Sequence, residues 1–173
     1  MNVLAFAASN SRHSINKALV SYAATLINGD VEVIDINDYE MPLYSADREQ
    51  AGGIPEQAHQ FYDKIGQADA ILISFAEHNG NVTAAYKNLF DWTSRINAKV
   101  YQGKPAVLLS TSPGQRGASN VLGIAKSLAP YGGLDVKAAL SVASFYNNFD
   151  QENGRITNSD IQAQLETALA TLN

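Results

Sequence analysis

Five short apolar runs recur along the chain, each followed by a longer segment in which apolar residues return every three or four positions. The runs cover residues 3–8, 31–36, 70–75, 106–110 and 136–142. Runs of this kind, rich in β-branched residues and closed by turn residues, predict strands buried on both faces. Five of them with helices between predict one parallel sheet with right-handed crossovers, an α/β architecture.

The helical segments have readable edges. The first begins near Ser14 or Asn16, turns Leu19, Ala23 and Leu26 inward, and stops at Asn28-Gly29. Pro55 suits a first helical position, ahead of Ala58, Phe61, Tyr62 and Ile65 on one face. Asn81 is the expected cap of a helix running to Arg95, with Val82, Ala85, Tyr86 and Leu89 at core spacing. On that helix Tyr86 and Leu89 read as core, whereas Phe90 and Trp92 are candidates for a subunit interface. The fourth runs from about Ala118 to Pro130 and Gly132-Gly133. The fifth starts at Ser159 with Gln162 at the capping-box position and packs through Ile161, Leu165, Leu169 and Leu172. Two stretches, 38–54 and 144–158, carry neither pattern and read as functional edges.

Composition narrows the partners. At 173 residues, 46% apolar and 17% charged, the chain fits a single domain spanning 1–173. Its net charge of −5 disfavours a protein that tracks nucleic-acid phosphates and points to small molecules or other subunits. With no cysteine, disulfides, thiolate metal sites and cysteine nucleophiles are excluded, and a reducing cytoplasm is the expected location. The apolar start, Met1 to Ala8, lacks a basic lead and is too short to span a bilayer, so it reads as a strand, with no membrane partner expected.

Chemistry in an open parallel sheet sits beyond the carboxyl ends of the strands. Three loops there are rich in small and polar residues. The first, Ser9-Asn10-Ser11-Arg12-His13-Ser14-Ile15-Asn16, opens a helix whose unpaired N–H groups suit a phosphate. Hydroxyls of Ser9, Ser11 and Ser14, the Asn16 amide and the Arg12 guanidinium are available to complete a cradle. The plainer alternative is that Ser14 or Asn16 simply caps the helix. Neither a P-loop ending nor a Gly-x-Gly-x-x-Gly fingerprint is present, against an NTPase or a Rossmann dehydrogenase. The second loop, Ala76-Glu77-His78-Asn79-Gly80-Asn81, carries an Asn-Gly turn signal. His78 there has no second histidine or paired carboxylate at ligand spacing, so no metal is expected. The third, Thr111-Ser112-Pro113-Gly114-Gln115-Arg116-Gly117-Ala118, has glycines that allow close backbone approach, or else is a flexible connection. Together the three suit a mononucleotide bearing a flat ring.

On these loops the chain resembles the NAD(P)H-dependent FMN reductase family, whose relatives include quinone, azo-dye and chromate reductases. The family's Gly-Ser-x-x-x-x-Ser-x-Asn reads here Ala8-Ser9-Asn10-Ser11-Arg12-His13-Ser14-Ile15-Asn16. Its Pro-Glu-Tyr-Asn-Gly-Ser and trailing Leu-Lys-Asn-x-x-Asp-Trp read Ala76-Glu77-His78-Asn79-Gly80-Asn81 and Tyr86-Lys87-Asn88-Leu89-Phe90-Asp91-Trp92. Met41-Pro42-Leu43-Tyr44 and Gly103-Lys104-Pro105 extend the likeness over nearly the whole chain. Ala8, Ala76 and His78 depart from the family's glycine, proline and tyrosine, and the last changes the group expected beside the flavin.

The resemblance implies a flavodoxin-like three-layer sandwich with strand order 2-1-3-4-5 and FMN as cofactor. NADPH or NADH would give hydride to flavin N5, and a small acceptor such as free flavin or a quinone would then take it. It assigns Ser9, Arg12, Ser14, Ile15 and Asn16 to the phosphate. Glu77, His78, Asn79, Gly80 and Asn81 fall to the ring edge, and Ser112, Gly114 and Gly117 to its other flank. No general base or nucleophile is implied, because the flavin carries the chemistry. A homodimer or homotetramer is implied as well. An electron carrier lacking its own NAD(P)H site, and a flavin-free domain binding another phosphate ligand, are the alternatives.

Overall fold

In the computed structural model, which describes residues 1–172, the chain runs β1 (Asn2–Ala8), α1 (Ile15–Thr25), β2 (Asp30–Ile34), a 3-10 turn (Ile36–Tyr39), α2 (Ala46–Gly52) and α3 (Glu56–Gln67). It continues through β3 (Ala70–Phe75), α4 (Ala84–Thr93), β4 (Pro105–Thr111), α5 (Ser119–Leu128) and β5 (Asp135–Val142). The short α6 (Phe145–Asn148), β6 (Phe149–Asp150) and β7 (Arg155–Ile156) lead to α7 (Ser159–Ala170). The five long strands form one parallel sheet in the order β2-β1-β3-β4-β5. This is the flavodoxin-like topology that the strand pattern and the resemblance imply.

Strand alternation sorts side chains to two cores. Leu4 and Phe6 of β1, Ile71 and Ile73 of β3 and Leu108 of β4 pack with Phe61, Ile65, Leu89, Trp92 and Val121 from α3, α4 and α5. Val3 and Ala5, Leu72, and Val107 and Leu109 face the other way, onto Leu19, Val20, Leu165 and Leu169 from α1 and α7. The edge strands differ from this core. β2 and β5 are partly exposed, and each bears an ion pair, Glu32 with Lys64 at 2.5 Å and Asp135 with Lys137 at 2.6 Å.

Helix starts shift slightly from the sequence expectation, for local reasons. Pro55 is the residue before α3, not its first. Thr83, not Asn81, caps α4: its Oγ1 accepts the Tyr86 N–H at 3.2 Å and donates to the Ala8 carbonyl at 3.0 Å, a tie to β1 that Asn81 lies outside. Asn158 caps α7 through the Asp160 and Ile161 N–H groups, so Gln162 falls outside a capping box and bonds Glu166 instead. The stretches 38–54 and 144–158 are more ordered than expected, since they hold α2, α6 and the antiparallel β6–β7 ribbon. Trp92 is a core residue, not a surface one: it is buried and its Nε1 donates to the Pro42 carbonyl at 2.7 Å. Phe90 is half-buried.

Behind α4 two phenols meet, the Tyr86 and Tyr101 hydroxyls lying 2.8 Å apart. Burial of that hydroxyl end pushes Tyr86 up to about 12, and burial with the neighbouring Tyr86 holds Tyr101 well above its ordinary value. The folded protein therefore keeps protons that the unfolded chain releases above the ordinary 10.0. Stability is full below that pH and falls as pH rises towards about 12. Thermal melting across this window should decline in the native protein and decline less steeply in a Tyr86→Phe/Tyr101→Phe variant. Parallel profiles for the two would overturn the assignment.

Candidate functional site

Ser14 sits in an extended conformation at the entrance to α1, and its Oγ accepts the Lys17 N–H at 3.2 Å. Its carbonyl takes the Ala18 N–H at 3.1 Å. The N–H groups of Ile15 and Asn16 are left without a protein acceptor among the described residues. They lie at the positive end of the helix, where an anion is favoured. Capping and anion binding are compatible here, because the cap uses a lone pair of Ser14 Oγ and leaves its proton free.

The loop before Ser14 is braced. The Ser11 N–H bonds Ser9 Oγ at 3.3 Å, and Asn37 Nδ2 donates to the Asn10 carbonyl at 3.2 Å. Lys17 pairs with Asp35 at the end of β2. Burial alone would push the Asp35 carboxyl up, but hydrogen bonds from Lys17 and Asn37 outweigh it and hold the group below its ordinary value.

The second loop folds into a two-residue hairpin. His78 and Asn81 exchange backbone bonds at 2.9 and 3.1 Å around Asn79 and Gly80, both at positive φ (52° and 77°). Positive φ at both central positions is what an Asn-Gly pair supplies. The third loop is fixed as well, not a flexible connection. The Ser144 N–H reaches the Gly114 carbonyl at 2.9 Å, the Phe145 N–H reaches that of Ser112 at 3.1 Å, and Ser110 and Ser141 hydroxyls both donate to the Gly117 carbonyl at 2.8 Å.

These loops enclose one cavity of about 240 Å³. The first contributes Ser9, Ser11, His13, Ser14, Ile15 and Asn16; the second Ala76, Glu77 and His78; the third Thr111, Ser112 and Pro113. Tyr146 of α6 completes the wall. Of the residues the sequence nominates, Ser9, Ser14, Ile15, Asn16, Glu77, His78 and Ser112 thus come together. Arg12, Asn79 and Gly114 are exposed and outside the lining, and the half-buried Gly80 lies outside it too. Asn81 faces a neighbouring groove, and Gly117 lies beneath its loop, against β5. His13 and Tyr146 were not nominated. His13 was legible only as part of the loop, and Tyr146 follows the fifth strand, where no local motif marks it.

The amino ends of α1, α4 and α5 reach this edge of the sheet, and the one whose residues line the cavity is that of α1. Glu77 Oε2 accepts the Val121 N–H at 2.9 Å, so a carboxylate already sits at the start of α5. Glu77 is also the only acidic residue lining the cavity, and this bond turns it towards the helix. The amino end of α1 therefore has the chemistry to take a phosphate: open N–H groups, three serine hydroxyls and no opposing free carboxylate. A phosphate-bearing planar ligand such as FMN fits this set of residues.

The fold is flavodoxin-like, and its cleft at the carboxyl edge of the sheet is lined by the amino end of α1. The sequence model for NADPH-dependent FMN reductase matches residues 1–147. The chain belongs to that family, and is an NAD(P)H-dependent flavin oxidoreductase with FMN as its cofactor. It is 30% identical over 161 residues to a 2-hydroxy-1,4-benzoquinone reductase of Burkholderia sp, covering 90% of this chain and 85% of that protein. An NAD(P)H-dependent FMN reductase of Pseudomonas aeruginosa is 29% identical over 178 residues, covering 99% and 93% respectively. Among solved structures, the NAD(P)H:(acceptor) oxidoreductase FerB of Paracoccus denitrificans superposes with a TM-score of 0.79 at 23% identity, over 99% of this chain and 94% of that one.

Gly117 gives a direct test of the third loop. Its φ is +55°, and an added Cβ would meet Ser141 Oγ at 2.5 Å and the Ala143 N at 2.8 Å. Gly117→Ala should cost about 3 kcal/mol in urea unfolding. An unchanged midpoint would show that the loop yields where the packing says it cannot.

Proposed function

We propose that the chain acts as one FMN-binding domain in the cytoplasm, oxidising NADPH or NADH and reducing a quinone or free flavin. The observation that carries this is the open amino end of α1, ringed by Ser9, Ser11 and Ser14 and held between two fixed turns. The Ile15 and Asn16 N–H groups and the Ser14 hydroxyl would hold the phosphate. Glu77 and His78 on one side and Ser112 and Pro113 on the other would border the ring. Bound flavin supplies the hydride chemistry, leaving the protein to bind, orient and shield it. The quinone and flavin acceptors are taken from the names of the relatives, and the absence of cysteine suits a reducing compartment.

A second copy of the chain is the proposed partner. Between α4 and α5 runs a groove of about 620 Å³ walled by Phe75, Tyr86, Phe90, Tyr101 and Leu134. Leu128 (55% exposed) and Tyr131 (76% exposed) stand at its rim. It begins at Asn81 and Val82, so a copy seated there would stand beside the ring-edge turn. Exposed apolar surface of this kind marks an association site.

Purified protein should bind FMN and oxidise NADPH or NADH when a quinone is supplied. Ser14→Ala should weaken FMN by about tenfold, from loss of a hydrogen bond to a charged group, with about 1 kcal/mol lost from the helix cap. Unchanged FMN affinity would remove the phosphate from this helix, and bound FMN without NAD(P)H oxidation would indicate an electron carrier. Size-exclusion chromatography should give a dimer or tetramer that a Leu128→Asp/Tyr131→Asp variant reduces to monomer. A monomeric native protein at micromolar concentration would exclude the groove as a self-association surface.

A further inference from the structure

Asn16 lies in the cradle loop, yet its side chain is committed elsewhere. It is 2% exposed, and its Oδ1 accepts both the Ser74 hydroxyl at 2.8 Å and the Thr111 N–H at 3.1 Å. Its Nδ2 donates to the Thr111 carbonyl at 3.2 Å. The carboxamide thus pairs with the peptide groups of Thr111 as a neighbouring strand would, closing the end of β4. Ser74 and Thr111 are themselves buried, and Thr111 Oγ1 donates onward to the Val142 carbonyl at 2.7 Å.

The three partners sit at the roots of the three loops. Asn16 is the second residue of α1, and its backbone N–H is one of the open donors. Ser74 stands two residues before Ala76, where the second loop begins, and Thr111 stands immediately before Ser112. One buried side chain therefore joins the anion cradle to both turns that border the ring position. Leaving any of these polar atoms unpaired in the interior costs about 1–3 kcal/mol, so the junction is held stiffly.

We propose that Asn16 is a positioning residue and its side chain not a phosphate ligand: its carboxamide sets the spacing between the anion cradle and the two turns. The proposal rests on the FMN reading above and deepens it. A ligand with a phosphate and a ring on one linker gains from two half-sites only when their separation is fixed in advance. Removing the brace should cost that joint gain and leave each half-site serviceable. A direct ligand would instead cost phosphate affinity itself, and a general folding defect would lower every affinity together.

Calorimetric titration of the native protein, Asn16→Ala and Ser74→Ala with FMN, riboflavin and inorganic phosphate separates these. Asn16→Ala should weaken FMN by about tenfold or more, while riboflavin and phosphate each change by less than about threefold. Ser74→Ala removes one hydroxyl from β3 without touching the cavity, and should weaken FMN in the same direction by a smaller factor. This second variant serves where Asn16→Ala does not fold. Phosphate affinity falling in step with FMN, all three ligands weakening equally, or FMN unchanged would each overturn the assignment. Native protein that binds no FMN would overturn the flavin reading and this one with it, and that result is seen before any variant is compared.

Discussion

A parallel sheet covered on both faces satisfies its backbone polar groups internally, and only its carboxyl edge is left to meet a polar ligand. Every functional feature of the chain follows from that constraint. β1, β3 and β4 are buried throughout or nearly so, and the loops that leave them converge on one cavity. Helix amino ends necessarily arrive at this edge, bringing unpaired donors with them. At two of those ends the chain makes opposite choices. Glu77 occupies the start of α5, whereas serines frame the start of α1 and leave its first N–H groups open.

Loop rigidity is the second common thread. The cradle loop is held to the end of β2 through Asn10 and Asn37, the hairpin by its own backbone pair, and the glycine-containing loop by Ser110, Ser141 and the start of α6. A cleft assembled from connections would ordinarily be mobile. Here each connection is held by hydrogen bonds within itself or to neighbouring elements, so the protein's own bonds shape the cavity. Pre-organisation of this kind favours tight binding of a cofactor that does not leave between turnovers.

Much of this was legible in the sequence, because a buried parallel strand is a continuous apolar run. All five strand runs coincide with strands to within two residues at either end, and the Asn79-Gly80 turn forms as its residues require. Caps were less legible. Several hydroxyl or amide residues compete near each helix start, and tertiary partners decide among them: Thr83 wins over Asn81 through its bond to the Ala8 carbonyl. The same holds in the site. Asn16 reads as a polar loop residue open to ligand, and nothing local reveals that Ser74 and Thr111, 58 and 95 positions away, claim its side chain. Tyr146 reaches the cavity from beyond the last strand of the sheet, a proximity that only the topology creates.

The charged pairs at the two outermost strands, one within β5 and one from β2 to α3, have a consequence for how molecules of this chain meet. An unpaired strand edge is a template for intermolecular pairing and aggregation, and salt-bridged side chains along it are a common deterrent. Glu32 with Lys64 guards one border and Asp135 with Lys137 the other, so continuation of the sheet into a neighbour is discouraged on both sides. Contact between copies is thereby steered away from backbone pairing and onto helical flanks, where it can end in a closed assembly instead of an open-ended fibre.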